Sequence, residues 1–501
     1  MNKRKHHELA LLATDAYKFF HVNAYPEGAT NVYSNMTPRA NSYFKYSDMF
    51  VSFGTEMFVE RFLIDYWNSH FFDLTIEEVI EDFNTVIIGG GLTNGLTENH
   101  IRELHELGYL PVEIKSLPEG HSFKVGTPLL TVENTDDRFY WLPNFLETQI
   151  LSEVYPVMNA ATTAKEYKKV ALKWSEKTSD NNDHIPWQFH DFSRRGHHAN
   201  DAGMTIATGH LTSFMGSDSV QGSLLIDNYY EGNTLGGNVY GSVSATEHSV
   251  SSSYGLDGEF EYYESLIKKF PTGILSMVSD TYDYWNVLNN FLPQLKEDIM
   301  KRDGSLIIRP DSGYIIDVIC GNKDKYEEGT AEYKGSLQLL WETFGGTINS
   351  KGYKVLDPHI GLIYGDSVNL DNVNEIFKRM EEIGFASSNV VLGVGALSYN
   401  VNNTRDTFAC AFKTTSVIIN GEERHVQKDP KTDHKKKSAK GRLAVIKTED
   451  GTELIEGLYK NPLRFKQDML ETIFKNGQRT RHTPFTEIKQ RIEDDVIEFN
   501  K

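Results

Sequence analysis

Only two of the 501 residues are cysteine, Cys320 and Cys410. Two are too few for a disulfide framework, and as free thiols they suit a reducing compartment. Nowhere do 18 apolar residues run together, which excludes an ordinary helical membrane span. The opening stretch MNKRKHHELALLATDAYK is basic but has only a scrap of apolar sequence before Asp15, so no secretory leader is expected. Basic charge is scarce as well: 51 Lys and Arg face 70 Asp and Glu, a formal net charge of -19. That argues against general nucleic-acid binding and makes any phosphate site a basic island in an acidic field. The expectation is a cytoplasmic protein with neither membrane nor nucleic acid as partner.

What is present is a globular composition, 39% hydrophobic and 24% charged, in a chain long enough to bury more than one core. Between about residues 270 and 400, apolar runs recur and each leads into a polar turn: GILSMVSD (273–280), LIIRPDSG (306–313), IGLIYGDS (360–367) and NVVLGVGA (389–396). Helical patterns follow the first and third, TYDYWNVLNNFLPQLKEDIM and NLDNVNEIFKRMEEIG. Runs that are apolar throughout read as strands buried on both faces, hence as a parallel sheet built from βα units. Asp280, Arg309 with Asp311, Asp366 and the Gly393/Gly395 turn all fall at the C-terminal ends of these runs, the edge where parallel α/β folds carry their sites. One Asp there could simply cap a helix; four charged or glycine-rich turns in succession point to a shared site.

The flanks are less regular. Residues 1–150 mix a helical stretch, FVSFGTEMFVERFLIDYW, with strands such as LPVEIKSL and TPLLTVEN, and β-like runs return in TTSVIING and GRLAVIKT. The fold class expected is α/β, an irregular βα-barrel core over 151–399 with a second α/β domain built from the terminal segments, 1–150 with 400–501. Residues 320–355 read as an excursion within the barrel.

Three polar stretches lie outside the strand ends. In HDFSRRGHH (190–198), His190, Asp191, His197 and His198 could ligate a metal, but no Cys pair or zinc-like spacing supports this. The alternative is that Arg194 or Arg195 meets a phosphate while Phe192 offers an aromatic face. GGGLTNG (89–95) lacks the Lys-Ser/Thr ending of a P-loop and the GxGxxG spacing, and reads as a connection. VQKDPKTDHKKKSAKGRL (426–443) is the obvious basic island, and a solvated loop is its bland alternative. His248, in ATEHSV, cannot be assigned by spacing alone.

Side by side, TDAYK, VENTDDRFYWLPNFLET, HDFSRRG, HLTSFMGSDSVQG, ATEHSV, VSDTYD, LIIRPDSG, YGDSVNLDNVNEI, QKDP and IFKNGQ make a set, in one order along nearly the whole chain, that resembles the nicotinamide phosphoribosyltransferases of the type II phosphoribosyltransferase superfamily. The resemblance implies phosphoribosyl transfer from phosphoribosyl pyrophosphate to nicotinamide, with Mg2+ held mainly through pyrophosphate, ATP as an activating co-substrate, and a homodimer with shared sites. Phe192 matches the aromatic residue stacked on one ring face. Tyr17, with Asp15 beside it among the substrate-binding positions, matches one covering the other face from a neighbouring subunit. Asp218 matches the carboxylate that accepts from the carboxamide, and Arg309 an arginine near ring and phosphate. Asp311, Gly365 and Asp366 match positions around the ribose, and Gly395 the turn holding its 5′-phosphate. Arg195, Arg405, Lys413, Lys428 and Lys436 match phosphate-handling cations, His248 the phosphorylated histidine, and Asp280 an acidic residue at the reaction centre. In GVGALSYN, Ala396 stands where the family commonly has glycine, and the loop to Arg405 is one residue longer. On this reading LIIRPDSG carries Arg309 and Asp311 together because one substrate has both a phosphate and ribose hydroxyls.

Overall fold

The computed structural model describes residues 5–401, 403–432, 437–449, 451–460 and 467–499. The chain divides into two compact units, one of 1–162, 225–232 and 403–495, the other of 163–224, 233–402 and 496–501.

The first unit is built on a seven-stranded antiparallel sheet. Its order is Glu422–His425, Ala411–Ile419, Ala29–Thr37, Leu130–Asn134, Val112–Ser116, Glu471–Lys475 and Gln478–Arg479. N-terminal strands thus form the middle of the sheet and C-terminal strands both of its flanks. Val112, Ile114 and Ser116 are buried while Glu113 and Lys115 are half-buried, the period-2 pattern of a sheet with one face packed. Arg442–Thr448 and Gly451–Leu458 add a separate hairpin. The stretch FVSFGTEMF does not start as a helix: Met49–Val51 pairs with Ser122–Lys124, and helix begins only at Thr55, after Gly54 at φ 96°. Gly54, in the left-handed region, sets the start of the helix where the apolar pattern alone could not show it.

Leu225–Gly232, which the sequence assigns to the barrel, belongs to this unit. The reason is Tyr230, fully buried, whose ring stacks on Phe53 at 5.2 Å and whose hydroxyl accepts from the Met57 N–H at 3.3 Å. Nearby, buried Glu56 accepts from Arg479 (3.0 Å), from Arg481 (2.7 Å), and from the Thr483 N–H (2.9 Å) and hydroxyl (2.7 Å). Burial pushes its carboxyl up, but the Arg481 charge and the Thr483 and Arg481 hydrogen bonds outweigh that and leave it below its ordinary value.

The second unit carries six parallel strands: β1 (Phe189–Asp191), β2 (Ser244–Ala245), β3 (Leu275–Val278), β4 (Leu306–Arg309), β5 (Ile360–Tyr364) and β6 (Val390–Val394). Their order is β1-β6-β5-β4-β3-β2, with Leu392 opposite Phe189, Tyr364 opposite Leu392, Leu362 opposite Ile308, and Val278 opposite Arg309. Helices Tyr284–Asn286 through Leu292–Met300 and Val373–Glu382 follow β3 and β5. The sheet is curled but is not a complete barrel. Beyond β1 the ladder continues only as single parallel bridges, Asp191 to Ser217 and Gly216 to Gly241. The chain there, EGNTLGGNVYGSV (231–243), is rich in glycine and asparagine, which are poor at sustaining a strand.

Removing one partner of a buried ion pair leaves an uncompensated charge. Arg481→Ala is therefore expected to destabilise the first unit by about 3–5 kcal/mol, read as a lower urea midpoint with folded-state circular dichroism preserved.

Candidate active site

At one end of the edge, a backbone ladder fixes three side chains. The Asp191 N–H donates to the Gly216 carbonyl (3.0 Å), the Asp218 N–H to Asp191 (3.0 Å), and the Ser217 N–H to Gly241 (3.1 Å). His190, Asp218 and Ser242 are thereby brought together: His190 Nε2 lies 3.0 Å from Asp218 Oδ1, and the Ser242 hydroxyl donates to the same oxygen. Burial pushes the Asp218 carboxyl up, but the bonds from His190 and Ser242 and the nearby Arg309 charge outweigh it and hold it below the ordinary carboxylate value. The His190 ring packs on Phe192, centroids 4.7 Å apart, and the Phe192 N–H is held by the Val394 carbonyl at 2.9 Å. One imidazole thus links the aromatic ring to the carboxylate.

At β3 and β4, Asp280 is nearly buried and both its oxygens are engaged. Oδ1 faces His248 Nε2 at 3.1 Å, and Oδ2 accepts the Asp311 N–H at 3.0 Å. Arg309 donates to the Thr246 carbonyl at 2.9 Å, while its Nε is buried with no partner among the described residues, a donor suited to a ligand oxygen. Burial pushes the Asp311 carboxyl above its ordinary value; Arg309 opposes this, and Asp280 and Asp366 add to it.

The turns after β4, β5 and β6 pack closely. Gly313, at φ 94°, lets PDSG fold back. A Cβ on Gly365 would lie 2.4 Å from Asp311 Oδ1, and one on Gly393 would lie 2.7 Å from the Phe192 ring. Glycine at both places is what allows ring and carboxylate to reach the edge. Ser367, next to exposed Asp366, sits at φ 61°, backbone strain of the kind stored at binding turns. Gly395 precedes the short helix Ala396–Tyr399. The Ala396 methyl fills space left by Gly196, whose own Cβ would come within 2.1 Å of it, so the SRRG turn accommodates the alanine. Arg195 is exposed on that turn.

The remaining expected residues lie in the first unit. Arg405, Lys413 and Lys428 line one cavity there, together with Arg39 and Glu147. Sequence reading missed Arg39, which gave no signal in TPRAN. Burial lowers the Lys413 pKa, and Arg39, Lys428 and Lys18 lower it further against Glu147: the cations repel one another, and an anion would relieve them. Tyr17 is 57% exposed, and Asp15 is exposed, accepting from Thr148 at 2.7 Å. Lys436 lies outside the described residues.

Among the described residues no group of three His, Cys, Asp or Glu is placed to hold an ion. His190 meets Asp218, and His197 meets Ser193 at 2.9 Å. Sequence reading also missed Ser242, and it weighed His190 only as a ligand; neither contact is visible without the fold.

A curled parallel sheet thus carries an aromatic ring, several carboxylates and close glycine turns along one edge, the arrangement expected of a phosphoribosyltransferase. In fold the chain is similar to human nicotinic acid phosphoribosyltransferase (TM-score 0.61, 16% identity, 96% of this chain and 93% of that one). It is similar too to nicotinate-nucleotide pyrophosphorylase from Pyrococcus furiosus (TM-score 0.56, 15% identity, 100% and 99%). The profile described as the nicotinate phosphoribosyltransferase (NAPRTase) family matches residues 187–478. In sequence the chain is 41% identical over 501 residues to nicotinamide phosphoribosyltransferase of Acinetobacter baylyi, covering 98% of each. It is 33% identical over 463 residues to that of Mycoplasma pneumoniae, covering 86% of this chain and 95% of the other. The chain belongs to the nicotinate phosphoribosyltransferase family.

A carboxyl whose folded-state pKa is raised costs stability once ionised, fully so above that pKa and not at all below the unfolded value near 3.9. Asp311→Asn is expected to raise the thermal midpoint at pH 7 and to converge with the parent protein below about pH 4, measured by thermal unfolding across a pH series.

Proposed function

We propose that the enzyme transfers the phosphoribosyl group of phosphoribosyl pyrophosphate to nicotinamide, forming nicotinamide mononucleotide and pyrophosphate, a step of NAD salvage. The observation that carries this reading is Asp218, held below its ordinary pKa and joined through His190 to the Phe192 ring. A carboxylate there accepts from an amide N–H but repels a second carboxylate. At about 4 Å and an effective dielectric of 20, like charges cost roughly 4 kcal/mol. Asp218 is 43% exposed, and screening brings this to about 1.4–2.8 kcal/mol, still roughly ten- to a hundredfold in favour of the amide. The same preference is supported by the relatives' names, nicotinamide phosphoribosyltransferases of A. baylyi, M. pneumoniae and Xanthomonas campestris. Nicotinate as substrate, which the family's name suggests, would need a cation where Asp218 stands.

The pyridine nitrogen attacks C1 of the ribose with a lone pair that is already free, so no strong general base is required. Phe192 holds the ring by stacking, at about 0.5–1.5 kcal/mol beyond burial. As the bond from C1 to the pyrophosphate oxygen breaks, positive charge develops on the ribose, and Asp311 and Asp366 serve to stabilise it and to accept from its hydroxyls. Arg309, through its unpartnered Nε, takes a phosphate or amide oxygen. The turn around Gly395 receives the 5′-phosphate. Magnesium brought in with pyrophosphate would be held near Asp280 and Asp311 and would supply neutralisation of the departing charge. Fixing both reactants in line supplies much of the remaining acceleration.

The reading extends to assembly. Tyr17, Arg195, Arg405, Lys413 and Lys428 serve the ring and the phosphates, some from a second copy in a homodimer, and the curled sheet is the working part of an irregular βα-barrel. Two buried free thiols, Cys320 and Cys410, suit a cytoplasmic setting. ATP is an activating co-substrate whose phosphoryl group passes to His248, half exposed and held at Nε2 by Asp280.

Asp218→Asn is expected to cut the ratio of kcat/KM for nicotinamide over nicotinate at least about tenfold, measured by mononucleotide formation with each base separately; an unchanged ratio removes Asp218 from the role. His248→Ala is expected to bring the ratio of rates with and without ATP down to one, and retained stimulation would place the phosphoryl acceptor elsewhere.

A further inference from the structure

Asp218 has two oxygens, and the structure treats them differently. Both donors that reach it, His190 Nε2 at 3.0 Å and the Ser242 hydroxyl, converge on Oδ1, while Oδ2 accepts no hydrogen bond among the described residues. The three side chains do not meet by chance of rotamer. The ladder from Asp191 through Gly216 and Ser217 to Gly241 sets all three backbones. Gly216 leaves room for the imidazole as well, since a Cβ there would come within 2.8 Å of His190 Nδ1. With the carboxylate ionised, the network assigns the proton to Nε2.

We infer that Ser242 and His190 are positioning residues for the amide-reading carboxylate: they saturate Oδ1, fix the plane of the carboxylate, and leave Oδ2 as the single acceptor presented to the substrate's carboxamide N–H. The inference rests on the proposed nicotinamide reaction. One committed oxygen makes recognition directional. A freely rotating carboxylate would offer either oxygen and lose rotamer freedom on binding, whereas a held one has lost it already. It also keeps the site ionised, because two donors stabilise the charge that a competing carboxylate must face. Ser242 is exposed and its hydroxyl makes no other hydrogen bond among the described residues, so it can be removed without burying an unmet polar group.

The test is a double-mutant cycle in the full-length protein, with steady-state rates for nicotinamide and nicotinate and thermal unfolding of each variant. Ser242→Ala is expected to raise the KM for nicotinamide roughly three- to tenfold with kcat nearly unchanged, and to narrow the preference over nicotinate. Ser242→Thr, which keeps a hydroxyl, restores both. In an Asp218→Asn background Ser242→Ala should add nothing, because its effect passes through Asp218. If Ser242→Ala leaves KM and preference within about twofold while Asp218→Asn narrows the preference, or if the two effects simply add, the positioning role is overturned and the nicotinamide reading stands. If Asp218→Asn itself leaves the preference intact, the amide reading fails and this inference fails with it.

Discussion

Parallel pairing is the constraint from which the site follows. In a parallel ladder every strand leaves the sheet on the same side, so residues far apart in sequence, Phe192, Asp280, Arg309, Gly365 and Gly395, are delivered to one edge by registers such as Tyr364 opposite Leu392 and Val278 opposite Arg309. β1, β3, β5 and β6 are buried nearly throughout and spend their middles on packing, which leaves their polar chemistry at the exits. The close turns then decide what fits: Gly365 and Gly393 bring the Asp311 carboxylate and the Phe192 ring within a methyl's radius of neighbouring backbone.

Charge is handled by pairing opposite effects. The protein is strongly acidic, yet the acids at the edge are differentiated by their neighbours. Asp218 is held ionised by two donors, Asp280 is spent on His248 and Asp311, and Asp311 is left strained by burial and by the carboxylates beside it. In the first unit the converse holds. Arg39, Lys413 and Lys428 crowd one cavity and depress the Lys413 pKa. Each cluster is least stable alone and gains from a ligand of opposite charge, which is how binding energy becomes available to a site.

Much of this was legible in the sequence, for particular physical reasons. Continuous apolar runs ending in Asp, Arg or Gly announced β3 to β6 almost residue for residue, because strands buried on two faces leave no polar interruptions. LPVEIKSL announced its strand by alternation. What was not legible depended on contacts across the chain. FVSFG reads as helix until Gly54 turns left-handed; Leu225–Gly232 joins the first unit through the stacking of Tyr230 on Phe53; and the missing side of the barrel reflects a glycine-rich segment that bridges without forming strands. In the site, Phe192 and Asp218 came from motif resemblance. Arg39, Ser242 and the turning of His190 from suspected ligand to hydrogen-bond donor came only from three-dimensional adjacency.

The central claim is that an ionised Asp218, joined through His190 to Phe192, selects an amide over a carboxylate. A competition assay tests it most directly: purified protein with phosphoribosyl pyrophosphate and magnesium, equal nicotinamide and nicotinate in one vessel, and both mononucleotides followed by mass spectrometry. The account predicts nicotinamide mononucleotide in at least about tenfold excess. Nicotinate mononucleotide as the main product would contradict it.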